Sequence, residues 1–174
     1  MSLTPTELTI LGLIVEQPRH GYDLEQVIEQ RGIRRWSEIG FSSIYYVLTK
    51  LEGRGLIASD DAQTGGKSRR VFHATAAGRH AAEEAALEFI TDQRTVAHPI
   101  LVGLANLPLI SDEDYAEALQ RRLTWIDSRI STVTAAERSQ APLPRAAREI
   151  FSYSLSLLEA ERSWLATRVQ VPDE

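Results

Sequence analysis

Near the start of the chain, three stretches carry apolar residues at helical spacing. In the first, Ile10, Leu11, Leu13, Ile14 and Val15 leave almost no polar side, which predicts a central buried helix running to about Gln17. Thr4 or Thr6 is placed to cap it, Pro5 suits its first turn, and Pro18 stops it. Residues 20–31 turn Leu24, Val27 and Ile28 one way and Glu25, Gln26 and Glu29 the other, and Gly32 ends the run. After a polar stretch at 37–40, residues 41–54 repeat the pattern with Ile44, Val47, Leu48 and Leu51 inward. Gly55 stands where that helix must stop.

Beyond Gly55 the period changes. Residues 56–59 and 70–74 read as short strands joined by a polar loop, 60–69, that contains Gly65-Gly66 and places Lys67, Arg69 and Arg70 near its tip. Thr75-Ala76-Ala77-Gly78 opens an alanine-rich helix with Ala82, Ala85, Ala86, Phe89 and Ile90 along one side. Residues 98–110 form an apolar connection, with Pro99 and Pro108, expected to be packed. Ser111 followed by Asp112, Glu113 and Asp114 is a cap with acids at the positive helix end. From there Tyr115, Leu119, Leu123, Ile126, Ile130 and Val133 extend a stripe over about five turns. Residues 141–144 break it, and a last helix over 145–168 puts Ile150, Tyr153, Leu157, Trp164 and Leu165 on a broad apolar face.

Composition narrows the function classes. The 174 residues include no cysteine, which removes disulfides, thiolate zinc sites and cysteine nucleophiles. No apolar run approaches the roughly 18 residues that span a bilayer. The first residues lack a basic region and a cleavage site, so the reading is a soluble, cytoplasmic protein without a membrane segment. The net charge of −5 is unevenly spread. Residues 31–80 hold nine basic and four acidic side chains, net +5, between acidic flanks of −4 and −6. Such a basic island, more than the total, governs docking on a polyanion.

Three compact helices and a basic-tipped hairpin make a winged helix-turn-helix. In that arrangement the last helix of the three enters the major groove of DNA. With its apolar side inward, the outward set is Ser42, Ser43, Tyr46, Thr49 and Lys50, with Tyr45 on the boundary. Hydroxyls near a helix start can join backbone amides at a phosphate, and Lys50 adds a point charge. Lys67, Arg69 and Arg70 of the wing would lie along the neighbouring backbone or minor groove. Each residue taken singly is equally well a solvated surface group; the ordered set favours DNA.

These residues resemble the PadR-like transcriptional regulators. The resemblance is carried by His20-Gly21-Tyr22-Asp23-Leu24, by Ser43-Ile44-Tyr45-Tyr46-Val47-Leu48 with Leu51-Glu52, and by Gly55-Leu56-Ile57. It continues through Gly66-Lys67-Ser68-Arg69-Arg70-Val71-Phe72 and Thr75-Ala76-Ala77-Gly78. Residues 104–130 and 149–169 are similar, by pattern, to the longer helical version of the family. The resemblance implies a mainly α protein. Residues 1–78 would form the winged helix, three helices plus a two-stranded β wing, and 79–174 an all-helical dimerisation domain. It further implies a homodimer on a pseudo-palindromic operator, with Tyr45, Lys50, Lys67, Arg69 and Arg70 facing DNA. Repression relieved by a small, often aromatic effector is common in the family. Ser42 stands where the family often has glycine, Tyr46 where it often has proline, and Ala74 where leucine is usual.

The aromatic and apolar residues Phe89, Trp125, Tyr153, Leu157 and Trp164 read first as core or dimer anchors, and alternatively as the lining of an effector cavity. Other chemistry fails on spacing. Gly66-Lys67-Ser68 lacks the glycine five residues earlier that a phosphate-binding loop needs, since Asp61 is there. His20, His73, His80 and His98 show no close metal-ligand pairing, and no G-x-S-x-G elbow frames a nucleophile. The expectation is therefore no enzyme, no cofactor and no metal. The competing classes are a winged-helix protein–protein interaction module and a small-molecule binder without DNA activity.

The basic residues and the helix residues are expected to divide the labour. Alanine at Lys67, Arg69 or Arg70 should weaken binding to every sequence and shallow the logarithmic salt slope by about one per residue. Alanine at Ser43 or Tyr46 should instead change the preference among duplexes. Fluorescence anisotropy on two duplexes over a salt series separates the two effects, and identical behaviour of both groups would refute the division.

Overall fold

The computed structural model describes residues 2–35, 37, 39–40, 43–60 and 70–169, residue 35 by its backbone. They form two compact units whose boundary falls between residues 95 and 96. The first unit therefore takes in the alanine-rich helix, which the expected boundary at 78 assigns to the second.

Helix α1 (Pro5–Glu16) begins with a reciprocal cap. The Glu7 amide donates to Thr4 Oγ1 (3.2 Å), and the Thr4 amide donates to Glu7 Oε2 (2.9 Å). After Gln17 the chain is extended and forms a two-residue strand, β1 (Arg19–His20). Helix α2 (Gly21–Gln30) starts at once, its entry fixed by the His20 amide donating to Asp23 Oδ2 (3.2 Å). A 3-10 turn (Ile33–Arg35) leads to α3 (Ser43–Gly53), which ends where Gly55 takes a φ of 69°. Strands β2 (Ile57–Asp60) and β3 (Val71–Ala74) and helix α4 (Ala76–Ile90) complete the unit.

The sheet is antiparallel in the order β1-β3-β2, with Arg19 opposite Phe72 and Ile57 opposite Ala74. The expected two-stranded wing thus gains a third strand. Two residues are too short to display an alternating pattern, and pairing along the second edge of β3 is what makes them a strand. The core gathers Ile10, Leu11 and Ile14 of α1, Leu24 and Ile28 of α2, Ile44, Leu48 and Leu51 of α3, and Ile57 and Phe72 of the sheet. Ile39 joins it, so the stretch read as polar contributes a buried side chain. On α4 Ala82 and Ala85 are buried, whereas Ile90, expected on the same side, is exposed.

A tight corner ties the sheet to α4. Thr75 Oγ1 caps α4 by accepting from the Gly78 amide (3.0 Å) and donates to the Gly55 carbonyl (2.8 Å). The Thr75 amide donates to the Leu56 carbonyl (3.1 Å). A Cβ at position 78 would lie 1.9 Å from that same Leu56 oxygen, so only glycine fits.

In the second unit α5 (Pro99–Ala105) and a 3-10 turn (Leu107–Leu109) precede α6 (Asp112–Ser139) and α7 (Arg145–Val169). Ser111 caps α6 as expected, its Oγ accepting from the Asp114 amide (3.1 Å). Helices α6 and α7 pack as a hairpin around Leu119, Ile126 and Leu165, flanked by Tyr115, Leu123, Ile130, Leu158 and Trp164. Arg162 Nε meets Asp127 Oδ1 (2.6 Å) across it, and Arg122 pairs with Glu161. Two expectations change here. The apolar connection at 98–110 is mostly helical and exposes Leu101, Val102 and Leu109 instead of packing them. The broad face of the last helix is split: Leu165 is buried, while Tyr153 and Leu157 are exposed. A two-helix hairpin encloses one seam, too narrow for every apolar position along 25 residues. Among the described residues, no helix is long and apolar enough to cross a membrane.

The corner makes a clear demand on stability. Gly78→Ala should destabilise the protein by about 3 kcal/mol, because the added methyl meets a backbone carbonyl that cannot rotate away. Urea unfolding checks this; a loss below about 0.5 kcal/mol would mean that the corner relaxes freely.

Candidate nucleic-acid interface

Burial of Ile44, Val47, Leu48 and Leu51 decides which side of α3 meets solvent. The exposed side carries Tyr45, Tyr46, Thr49 and Lys50, with Ser43 at the start. Tyr46 is 70% exposed and Tyr45 58%. The Tyr45 ring lies over Gly21, where a Cβ would come within 2.8 Å of its Cε1. Glycine at the opening of α2 is thus what seats this ring. Ser43 Oγ donates to the Gly40 carbonyl (2.6 Å) and Thr49 Oγ1 to the Tyr45 carbonyl (3.0 Å). Both hydroxyl oxygens keep acceptor capacity on the open side.

Lys50 is outward but tethered. Its Nζ lies 2.6 Å from Glu7 Oε1, and Arg54 Nη1 lies 3.4 Å from Glu7 Oε2. The Glu7 side chain is only 3% exposed. Burial opposes its ionisation, yet the hydrogen bonds from Lys50 and the Thr4 amide, with the charges of Lys50 and Arg54, outweigh that and hold the carboxyl below the usual glutamate range. One buried carboxylate therefore pins the outward helix α3 to the start of α1.

At the root of the wing, Arg70 is organised in the same way. Its Nη2 lies 2.6 Å from Glu52 Oε1, its Nε donates to Ser59 Oγ (3.1 Å), and its guanidinium sits 5.3 Å from the centre of the Phe72 ring. Ser59 Oγ also donates to Glu52 Oε1 (2.8 Å). The Ser59 hydrogen bond, against partial burial and with Arg70 beside it, holds the Glu52 carboxyl below its ordinary range. The Arg70 carbonyl lies 3.1 Å from His20 Nδ1, so strand β1 steadies the backbone there. A trough of about 820 Å³ opens between the start of α2, the outer side of α3 and β3. Tyr22, Tyr45, Thr49, Glu52 and Arg70 line it.

The structure thus brings Tyr45, Thr49 and Arg70 to one trough, with Ser43, Tyr46 and Lys50 on the same helix. Ser42, Lys67 and Arg69 lie outside the described residues. Sequence reasoning missed Tyr22, which is 62% exposed beside the trough, and Glu52, the acid facing Arg70. An exposed aromatic next to His20-Gly21, and a lone carboxylate inside the basic island, were the available signals. The other five singled-out residues do not form one cluster within a unit. Phe89 belongs to the first unit, and Trp125, Tyr153, Leu157 and Trp164 belong to the second. Trp125 is exposed on α6, and Trp164 is partly packed with the Arg168 guanidinium 3.9 Å from its ring centre. Among the described residues, no group of three or more His, Asp or Glu side chains could hold a metal ion.

Comparison with known proteins bears on the fold. Residues 10–84 match the model of the transcriptional regulator PadR-like family. The fold is similar to that of Bacillus subtilis PadR in complex with operator DNA, with a TM-score of 0.76 at 20% identity over 95% of this chain and 98% of that one. The same TM-score, at 18% identity over 94% and 95%, relates it to Bacillus subtilis PadR in complex with p-coumaric acid. A PadR-like transcriptional regulator from Bacillus cereus follows at 0.67, with 17% identity over 94% and 95%. No curated protein matches the chain by sequence.

The Glu7 anchor sets a pH dependence. Because the folded carboxyl ionises more readily than an ordinary glutamate, its contribution is present above the ordinary pKa and is lost as pH falls through the folded value. Glu7→Gln should cost about 2 kcal/mol at neutral pH. The gap to the native protein should close in acid, as the native carboxyl also becomes protonated. Urea midpoints measured from neutral pH into acid test this, and a gap independent of pH would refute the charged anchor.

Proposed function

With residues 10–84 a PadR-like winged helix, we propose that the protein is a homodimeric repressor that binds a pseudo-palindromic operator and is released by a small aromatic effector. The observation that carries the reading is the exposed tyrosine- and hydroxyl-bearing side of α3 beside Arg70 at the wing root. On this reading Ser42, Ser43, Tyr45, Tyr46 and Thr49 meet base edges and phosphates, and Lys67, Arg69 and Arg70 follow the backbone. Lys50, engaged by Glu7, contributes its charge to the surface field and a contact at the edge of the interface.

The dimer is supported by the second unit, which leaves Leu101, Val102, Leu109, Tyr153 and Leu157 open to water on a single chain. A second copy would cover such faces, since a hairpin of two helices buries few side chains completely. Two α3 helices held about 34 Å apart match successive major-groove faces. An effector that favours another separation breaks the match by population shift. Bacillus subtilis PadR bound to p-coumaric acid supports a planar aromatic acid as the effector class.

The test is fluorescence anisotropy of the purified protein on DNA from upstream of its own gene, beside a random duplex of equal length. Two chains per duplex, selective binding and steep salt dependence are the expected result, with release by an aromatic carboxylic acid. Absence of binding to either duplex at low salt would overturn the regulator reading and favour an interaction module.

A further inference from the structure

The acid in the trough is out of place for a surface that meets a polyanion. Glu52 shares the trough with Tyr45 and Thr49, and a carboxylate there repels phosphate. It is not left open to solvent as a stray surface charge. Its Oε1 takes both the Arg70 guanidinium (2.6 Å) and the Ser59 hydroxyl (2.8 Å), so it occupies the place that a phosphate oxygen would take on Arg70. Glu52 and a DNA phosphate would therefore compete for Arg70.

We propose that Glu52 is an internal substitute for phosphate that holds Arg70 in the free protein and in loosely seated complexes, yielding it only when the DNA backbone enters the trough. This rests on the DNA-binding reading above and adds a specificity device to it. While Arg70 stays on Glu52 it neutralises no phosphate and releases no counterion from the duplex. Random DNA, whose loosely seated backbone does not displace Glu52, is bound without that contact. A well-seated operator completes the exchange and recovers it. Ser59 is a positioning residue here, since its hydroxyl bridges the two charged groups and keeps the clamp in register.

The experiment is anisotropy on a random duplex over a salt series, with native protein, Glu52→Gln, and Glu52→Gln combined with Arg70→Ala. Glutamine keeps the shape and can still accept from Ser59, and circular dichroism confirms the fold. Glu52→Ala serves as a second variant if the glutamine protein is unstable. Removing the charge should tighten binding to random DNA by about three- to ten-fold at low salt and steepen the salt slope by about one. Arg70→Ala in the same background should abolish both gains. An unchanged slope, weaker binding, or gains that persist without Arg70 would overturn the proposal while native binding stands. Native protein that binds no duplex at all would overturn the DNA-binding reading itself, and this inference with it.

Discussion

Helix α1 is walled in by α3, α4 and β3, and its burial sets where each of them sits. Ile10, Leu11 and Ile14 are almost wholly removed from water, each worth roughly 1.5–3 kcal/mol against exposure. The same burial turns Ile44, Val47, Leu48 and Leu51 of α3 inward and so sets that helix's rotation. Glu7, a charge buried at the start of α1, adds a directional tie through Lys50, in the second half of α3, and Arg54, just past its end. Nonpolar packing leaves Tyr45, Tyr46 and Thr49 outside, and the buried ion cluster ties the helix in that setting.

The same principle recurs at the wing root. A basic island in an acidic protein would be a diffuse cloud of mobile side chains if its members were unpaired. Instead, Lys50 is held by Glu7, and Arg70 by Glu52 and Ser59. Side chains ordered before docking lose less rotamer freedom on binding, at the cost of an exchange of partners. The trough between α2, α3 and β3 follows from these constraints together with the tight approach of Gly21 to the Tyr45 ring.

The two units are stabilised in different ways. The first closes a core from four helices and a sheet, with the Thr75–Gly78 corner stitching the sheet to α4. The second has one seam, wholly buried at few positions, and a large share of its leucine, tyrosine and tryptophan surface is open on a single chain. Such a unit gains most from a partner, which is why the proposed dimer falls to it.

Sequence by itself determined the local structure of both units. The cap at Ser111, a cap at Thr4 or Thr6, a helix start at Thr75–Gly78, stops at Gly55 and Pro18, and the inward set Ile44, Val47, Leu48 and Leu51 were legible because each is a local rule about hydrogen bonds, φ or periodicity. The outward side of α3 followed by subtraction. Tertiary structure alone decided the rest. Strand β1 exists only through its pairing with β3, and Ile39 is buried only because the core reaches it. The roles of Glu7 and Glu52 arise from partners 43 and 18 residues away in sequence, a charge pairing that no helical or strand period encodes. Likewise, an apolar position on α7 reads the same whether it faces α6 or water. Only the width of the seam between two helices separated Leu165 from Leu157.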